Sequence, residues 1–285
     1  MTHTIPIVRT VAALREQVND WKHQGLRVGL VPTMGALHHG HLSLVHAVAE
    51  KVDRVIVSIF VNPTQFGEGE DFDQYPRTEV EDCQKLTSTP ASLVFAPNAA
   101  EMYPSGFAST VSVRGISERF EGAIRPGHFD GVATVVSKLL LQAMPDVAIF
   151  GEKDYQQLAV IRRFVADLNI PVEIMGGTLI REPDGLAASS RNVYLDANQR
   201  EIAGRFNVIL RDLVTGVESG VSPRDAEKVA ARALLDAGFL SVDYVAVVDK
   251  DTLEPLETLA GEARVIAVAR IGGVRLLDNM AIRKD

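Results

Sequence analysis

One cysteine, Cys83, stands in 285 residues. No intrachain disulfide is possible, which fits a reducing cytosol and leaves the fold to rest on its packed core. No apolar run approaches the ~18 residues that would span a bilayer, so no membrane partner is expected. The opening residues, Met1-Thr2-His3-Thr4-Ile5-Pro6, lack the charged-then-apolar pattern of a signal peptide, and the expected location is cytoplasmic. Positive charge is in short supply. Lys and Arg number 29 against 37 Asp and Glu, a net charge of −8, which argues against a broad nucleic-acid surface but leaves room for a local basic pocket. Three common signatures are also missing. Without Gly-x-x-x-x-Gly-Lys-Ser/Thr the chain is not a P-loop enzyme. Without Gly-x-Gly-x-x-Gly after its first strand a dinucleotide site is not expected. Without Gly-x-Ser-x-Gly the commonest serine-hydrolase signal is gone. No internal repeat or low-complexity tract is present.

What is there reads as a globular α/β chain long enough for one large domain or two. Thr10 caps a helix with the apolar face Val11, Leu14, Val18 and Trp21, ending near Gly25. Val28–Val31, Val55–Val61, Leu93–Ala96, Val147–Phe150 and Val172–Met175 read as strands, separated by helices from the histidine-rich stretch to about Lys51, about Gly131–Ala143 and about Tyr155–Leu168. Apolar strands alternating with helices imply βαβ units and a Rossmann-like doubly wound parallel sheet, whose ligands bind at the carboxyl ends of the strands. The pattern changes after Glu182. Asp196 and Gln199 form a capping-box pair opening a helix to about Glu218. Ser222-Pro223 opens a second helix closed by Gly238, and strands at Val242–Val248, Val265–Ala269 and Val274–Leu277 follow without βαβ alternation. The expected organisation is residues 1–180 as a Rossmann-like domain and 181–285 as a smaller α+β domain closing over the active site.

The most informative stretch is Pro32-Thr33-Met34-Gly35-Ala36-Leu37-His38-His39-Gly40-His41, a strand-to-helix turn with His38 and His41 at the helix start. Residues three apart share a helix face, so both imidazoles can meet one ligand. The start of a helix offers unpaired N–H groups and partial positive charge, a place for phosphate. Two plainer readings stand beside this one. Glycine-rich turns of this kind are common without function, and four histidines in nine residues (His38, His39, His41 and His46) invite a metal, although zinc sites usually add a carboxylate or thiolate that is missing here. No metal ligand is assigned.

Three further clusters carry possible chemistry, two of them after strands, where such a sheet binds ligands, and the third in the loop between the domains. Asn62-Pro63-Thr64-Gln65-Phe66-Gly67 follows a strand, and its amides can hydrogen-bond a small polar substrate, although Asn-Pro is also an ordinary turn pair. In Gly151-Glu152-Lys153-Asp154-Tyr155-Gln156-Gln157, Lys153 is placed as a point charge for phosphate and Asp154 for a ribose hydroxyl. The plain alternative is a solvated charge run capping the next helix. Ser189-Ser190-Arg191-Asn192 has the hydroxyls and guanidinium of a phosphate clamp, or is a flexible polar linker.

Taken together these blocks resemble the pantoate–β-alanine ligase family. The resemblance is carried by Val31 to His41, Ser58-Ile59-Phe60-Val61-Asn62-Pro63-Thr64-Gln65-Phe66, Tyr75-Pro76-Arg77-Thr78, Arg125-Pro126-Gly127-His128-Phe129, Gly151 to Gln157, Ser189 to Asn192 and Arg275-Leu276-Leu277-Asp278-Asn279. They stand in the family's order and cover about Thr10 to Asn279. One position departs: Ala188 stands where a Met or Leu is expected before the serine pair. Another adenylyltransferase of the superfamily would share the histidines and the Ser-Ser-Arg loop, but not the Asn62 and Gly151 blocks together. A nucleotide sensor on this fold would be expected to have lost Lys153 or the histidines.

The resemblance implies a homodimeric ligase in the route to coenzyme A. It joins (R)-pantoate to ATP, accompanied by Mg²⁺, releases pyrophosphate, and passes the pantoyl group from its adenylate to β-alanine to give pantothenate and AMP. It also implies residue roles. His41, His38, Lys153, Arg191, Ser189 and Ser190 are the catalytic candidates. Met34, Gly35, Ala36, Leu37, His39 and Gly40 line the ATP site with both histidines. Gly151, Glu152 and Asp154 hold ATP beside Lys153, with Ile180 and Ala188 at the adenine and the Ser189–Arg191 loop at the phosphates. Gln65 and Gln157 hold pantoate, with Asn62, Tyr75, Arg125 and His128 as further substrate-binding candidates.

Overall fold

In the computed structural model, which describes residues 4–283, the chain divides into two compact units. The first holds the chain up to Glu152 together with Gln157–Thr178, and the second holds Lys153–Gln156 together with the chain from Leu179.

The first unit is a six-stranded parallel sheet. Its strands are β1 (Ile7–Val8), β2 (Val28–Thr33), β3 (Arg54–Ile59), β4 (Ala91–Phe95), β5 (Val147–Gly151) and β6 (Glu173–Gly177), in the order β1-β4-β3-β2-β5-β6. Helices α1 (Val11–His23), α2 (His39–Ala49), α3 (Glu79–Leu86), α4 (Ala99–Met102), α5 (Glu121–Ile124), α6 (His128–Ala143) and α7 (Tyr155–Asp167) connect them. The inner strands read as unbroken apolar runs because both faces are covered. Leu30, Ile56, Ala148 and Phe150 pack with α1, α6 and α7, while Val31, Val55, Val57, Val147 and Ile149 pack with α2 and Leu86 of α3. The order reverses at β2, which pairs with β3 on one side and β5 on the other. Their carboxyl ends, Thr33 and Gly151, flank the place where doubly wound sheets bind ligands.

In the second unit, α8 (Ala197–Glu218) and α9 (Pro223–Asp236) cover one face of an antiparallel sheet, β7 (Ser241–Asp249), β8 (Ala263–Ile271) and β9 (Val274–Ile282). Alternate residues of β8, from Ala263 to Ile271, join Phe206, Leu210, Leu213 and Leu234 in its core. The Asp196–Gln199 capping box and the Ser222 cap form as the sequence implies. Four elements escaped the periodicity, the two-residue β1, the polar helix α3 and the four-residue helices α4 and α5, and α6 begins one turn earlier than expected, behind Gly127 in a left-handed conformation.

The α6 helix reaches the turn after β3 through Gly131. A Cβ there would lie 2.8 Å from Gln65 Cα and closer still to the Thr64 carbonyl. Gly131→Ala gains about 1 kcal/mol of helix propensity, but overpacking against backbone costs about 1–3 kcal/mol. The variant is expected to melt below the wild type. Calorimetry checks this, and an unchanged or raised Tm would show that α6 gives way without cost.

Candidate active site

Between β2 and α2 the chain turns through Gly35 (φ +84°) and Ala36 (φ +50°), two consecutive left-handed residues. Glycine adopts this conformation readily and alanine does not, so the turn must be held from outside. Asp82 of α3 holds it. Its carboxylate, 1% exposed, accepts the N–H of Ala36 at 2.8 Å and of Leu37 at 2.7 Å. It also accepts the Thr78 hydroxyl at 3.1 Å. Lys85 lies 3.7 Å from the same carboxylate and donates to the Leu37 carbonyl at 2.7 Å. The Gly35 N–H goes to Thr33 Oγ1 at 3.2 Å, and a Cβ on Gly35 would crowd Asp82 Oδ2 at 3.2 Å.

The two histidines cap their own helix. His38 is the N-cap and accepts the Gly40 N–H on Nδ1 at 3.2 Å, while His41 Nδ1 accepts the His38 N–H at 3.3 Å. An accepting Nδ1 carries no proton, so both rings are Nε2–H tautomers. The rings lie 4.0 Å apart between centroids, and His39 is exposed beside them. The sequence pattern alone implies unpaired backbone N–H groups at this helix start. The N–H groups of Gly35, Ala36, Leu37, His38 and Gly40 instead have acceptors within the chain, because a hydroxyl, a carboxylate and two imidazoles stand close enough to take them. With Nδ1 taken up by the backbone, each ring carries its proton on Nε2.

After β3, Asn62 caps a 3₁₀ turn, Pro63–Gln65. Asn62 is 1% exposed. Its Oδ1 accepts the Tyr103 hydroxyl at 2.7 Å and the Thr64 hydroxyl at 3.0 Å. Its Nδ2 donates to the Gly131 carbonyl at 3.2 Å and to Gln65 Oε1 at 3.1 Å. That leaves Gln65 Nε2 beside Met34 Sδ at 3.2 Å, which brings the glutamine amide to the histidine turn. Tyr75 is buried with its ring edge-on to Phe66.

Arg125 and His128 hold the other side of Gln65. Arg125 donates through Nε and Nη2 to both oxygens of Glu70, each at 2.6 Å. His128 Nδ1 donates to the Gln65 carbonyl at 2.8 Å, and its Nε2 accepts from Arg125 Nη1 at 3.1 Å. Burial, and then the Arg125 charge, pull the His128 pKa down to about 4, so the ring is neutral near pH 7. Burial works against ionisation of Glu70, but its bonds to Arg125 hold its pKa below the usual value.

In the second unit Lys153 and Asp154 lie in a 3₁₀ turn following β5, with Lys153 Nζ 3.5 Å from Asp154 Oδ1. Asn279 of β9 donates to the Lys153 carbonyl at 2.9 Å. Ile180 and Ala188 are paired across a short hairpin, Ala188 N–H to Ile180 O at 2.9 Å. Ser189 follows and caps the 3₁₀ turn Ser190–Tyr194 by accepting the Arg191 N–H at 3.3 Å. Gln157, in α7 of the first unit, is half-buried. Among the described residues no three His, Cys, Asp or Glu side chains are grouped to hold a metal ion. No described helix is long and apolar enough to cross a membrane. Sequence reasoning passed over Asp82 and Lys85, whose helix has no apolar stripe to announce it. It also assigned no role to Asn279, although the block containing it was noticed.

The Arg125–His128 arrangement has a pH signature. Unfolded, His128 takes a proton below about 6.5, whereas folded it resists until about 4. Its contribution is therefore whole above pH 6.5 and lost as pH falls toward 4, about 2 kcal/mol between pH 7 and pH 5. Denaturant titrations at the two pH values are expected to show that loss in the wild type and a smaller one in His128→Asn, whose amide can still donate to the Gln65 carbonyl. Equal losses would mean that His128 is readily protonated in place.

A family model described as pantoate-beta-alanine ligase matches residues 6–281. The pantothenate synthetase of Paramagnetospirillum magneticum is 56% identical over 282 residues, 99% of each chain. The crystal structure of pantothenate synthetase from Thermus thermophilus superposes with a TM-score of 0.90 at 45% identity, over 97% of this chain and 99% of that one. The pantoate-beta-alanine ligase of Francisella tularensis, solved with beta-gamma ATP and beta-alanine, follows with a TM-score of 0.82 at 34% identity over 97% of both chains. Likeness of this depth, over nearly the full length of each relative and with both sheets in place, settles the assignment: the chain belongs to the pantoate–β-alanine ligase family.

Proposed function

We propose that this chain condenses (R)-pantoate with β-alanine in two steps, through a pantoyl adenylate. A pantoate carboxylate oxygen attacks the α-phosphorus of ATP, the bond to the β-phosphate breaks, and pyrophosphate leaves. The β-alanine amine then attacks the acyl carbon, loses a proton, and displaces AMP. Because the substrate brings its own nucleophile, the protein needs positioning and charge stabilisation more than a reactive side chain.

The observation that carries this reading is the pair of capped imidazoles. With both Nδ1 atoms accepting from the backbone, His38 and His41 present Nε2–H donors from a turn pinned by Asp82. Donors fixed in advance are what a transition state with charge developing on phosphate oxygens requires. His41 is assigned to that charge, with His38 on the triphosphate. Lys153, Ser189, Ser190 and Arg191 act on the α-phosphate and the leaving pyrophosphate. Gly151, Glu152 and Asp154 take the ribose side, and Ile180 and Ala188 the adenine, with Met34 to Gly40 lining the nucleotide. Gln65 and Gln157 read pantoate. Asn62, Arg125 and His128 serve by fixing Gln65, and Tyr75 supports its neighbour Phe66.

Mg²⁺ enters on the phosphates of ATP, in keeping with a cation that keeps waters and takes few protein ligands at nucleotide sites. The active form is a homodimer in the cytoplasm.

Pyrophosphate is expected to exchange into ATP with pantoate and Mg²⁺ alone. A requirement for β-alanine in isotope exchange would overturn the two-step order. His41→Ala and Lys153→Ala are each expected to lower kcat by about 10²–10³ while changing KM for pantoate less. A rise in KM with kcat intact would make both residues ground-state binders.

A further inference from the structure

We propose that Asn279 of β9 is the positioning residue for Lys153, so that the sheet of the second unit sets where the lysine stands. The proposal rests on the reading of Lys153 as a group acting on the phosphates.

Lys153 follows β5 directly, yet Lys153–Gln156 groups with the second unit while its neighbours on both sides belong to the first. The contacts within that unit explain why. A short 3₁₀ turn satisfies few of its own carbonyls, so outside donors hold it. Asn279, 126 residues away in sequence, donates Nδ2 to the Lys153 carbonyl at 2.9 Å. Asn279 is 3% exposed, and its Oδ1 accepts from Arg264 Nη1. The Arg264 guanidinium lies over the Tyr155 ring, 3.9 Å from its centroid, and the Tyr155 hydroxyl donates to the Lys250 carbonyl at 2.9 Å. One amide thus couples an arginine stacked on the tetrapeptide to the carbonyl at the tetrapeptide's start. A planar amide offers a donor and an acceptor side by side, which serves both partners at once.

The same corner of β9 holds the serine loop. Asp278, fully buried, accepts the Asn279 N–H at 2.7 Å and takes both Arg181 nitrogens, at 2.7 and 2.9 Å. Arg181 also donates to the Gly185 carbonyl at 2.9 Å and bridges to Ala187. This hairpin delivers Ala188 into the Ser189–Arg191 segment. Lys153 and that segment are therefore referenced to two adjacent residues of one strand, and their spacing does not depend on the loops between them.

The test is a double-mutant cycle on the full chain. Asn279→Asp keeps the acceptor for Arg264 but loses the donor to the Lys153 carbonyl. It is expected to lower kcat by about 10- to 100-fold, as a displaced catalytic group does, with KM for pantoate within about twofold and a Tm lowered by only a few degrees. In the Lys153→Ala background the same substitution is expected to cost nothing further, because residues acting as a unit are not additive. Equal losses in the two backgrounds would overturn the proposal, as would an unchanged kcat in Asn279→Asp. If Lys153→Ala alone leaves kcat intact, the reading of Lys153 itself fails, and the positioning role falls with it. Should Asn279→Asp not fold, Tyr155→Phe carries the same cycle. It removes the bond to the Lys250 carbonyl while leaving the ring under Arg264, and its loss of kcat is expected to vanish when Lys153 is absent.

Discussion

The Asp82 carboxylate is buried beneath a turn that would not keep its shape alone. Two consecutive left-handed residues, the second an alanine, are tolerable because Ala36 and Leu37 each place an N–H on one carboxylate oxygen. A buried carboxylate is costly unless its oxygens are satisfied, and here backbone amides, a hydroxyl and a nearby lysine satisfy them. The two needs answer each other: the turn lacks acceptors and the carboxylate lacks donors. With the turn fixed, His38 falls at the N-cap, His41 one turn on, and both rings fold back onto the backbone. Their tautomers follow from that geometry.

The same construction recurs at the other candidate side chains. Gln65 is held by its carbonyl through His128 and by its amide oxygen through Asn62. Lys153 is held by its carbonyl through Asn279. His128 and Asn279 reach the backbone carbonyls of Gln65 and Lys153 from far away in sequence, and Asn62 takes the Gln65 amide oxygen from within the same turn. Such supporting groups reduce the reorganisation required when charge develops.

Much of this architecture was legible. Helix α8 announced itself through Asp196 and Gln199, α1 through Thr10 and its apolar stripe, and the inner strands through runs of Val and Ile that only a doubly covered sheet requires. The candidate groups stood out because histidines and a lysine clustered just after strands and serines in the loop between the domains. Their supports did not. Asp82 sits in Glu79–Leu86, a helix whose sequence is mostly polar because only Asp82 and Leu86 are buried. Asn62 looked like a turn former and is one, but its reach to Gly131 and Tyr103 spans separations that no local pattern encodes. Arg125 and His128 stand as substrate-binding candidates through the family resemblance alone. That Glu70 lies opposite Arg125 is a fact of folding, not of spacing.

The assignment of Lys153–Gln156 to the second unit has a consequence for how sequences of this kind recombine. A crossover at the boundary near Thr178 would join the N-terminal part of one parent to the C-terminal part of another, and the tetrapeptide would travel with the wrong parent. Its carbonyl would then face a β9 inherited from the other parent. Chimeras that divide the chain there inherit a mismatch in the middle of the first segment, unless the residues at 153, 155, 264 and 279 come from one source. The smallest exchangeable module is a discontinuous one, and the reading frame of the fold differs from that of the gene.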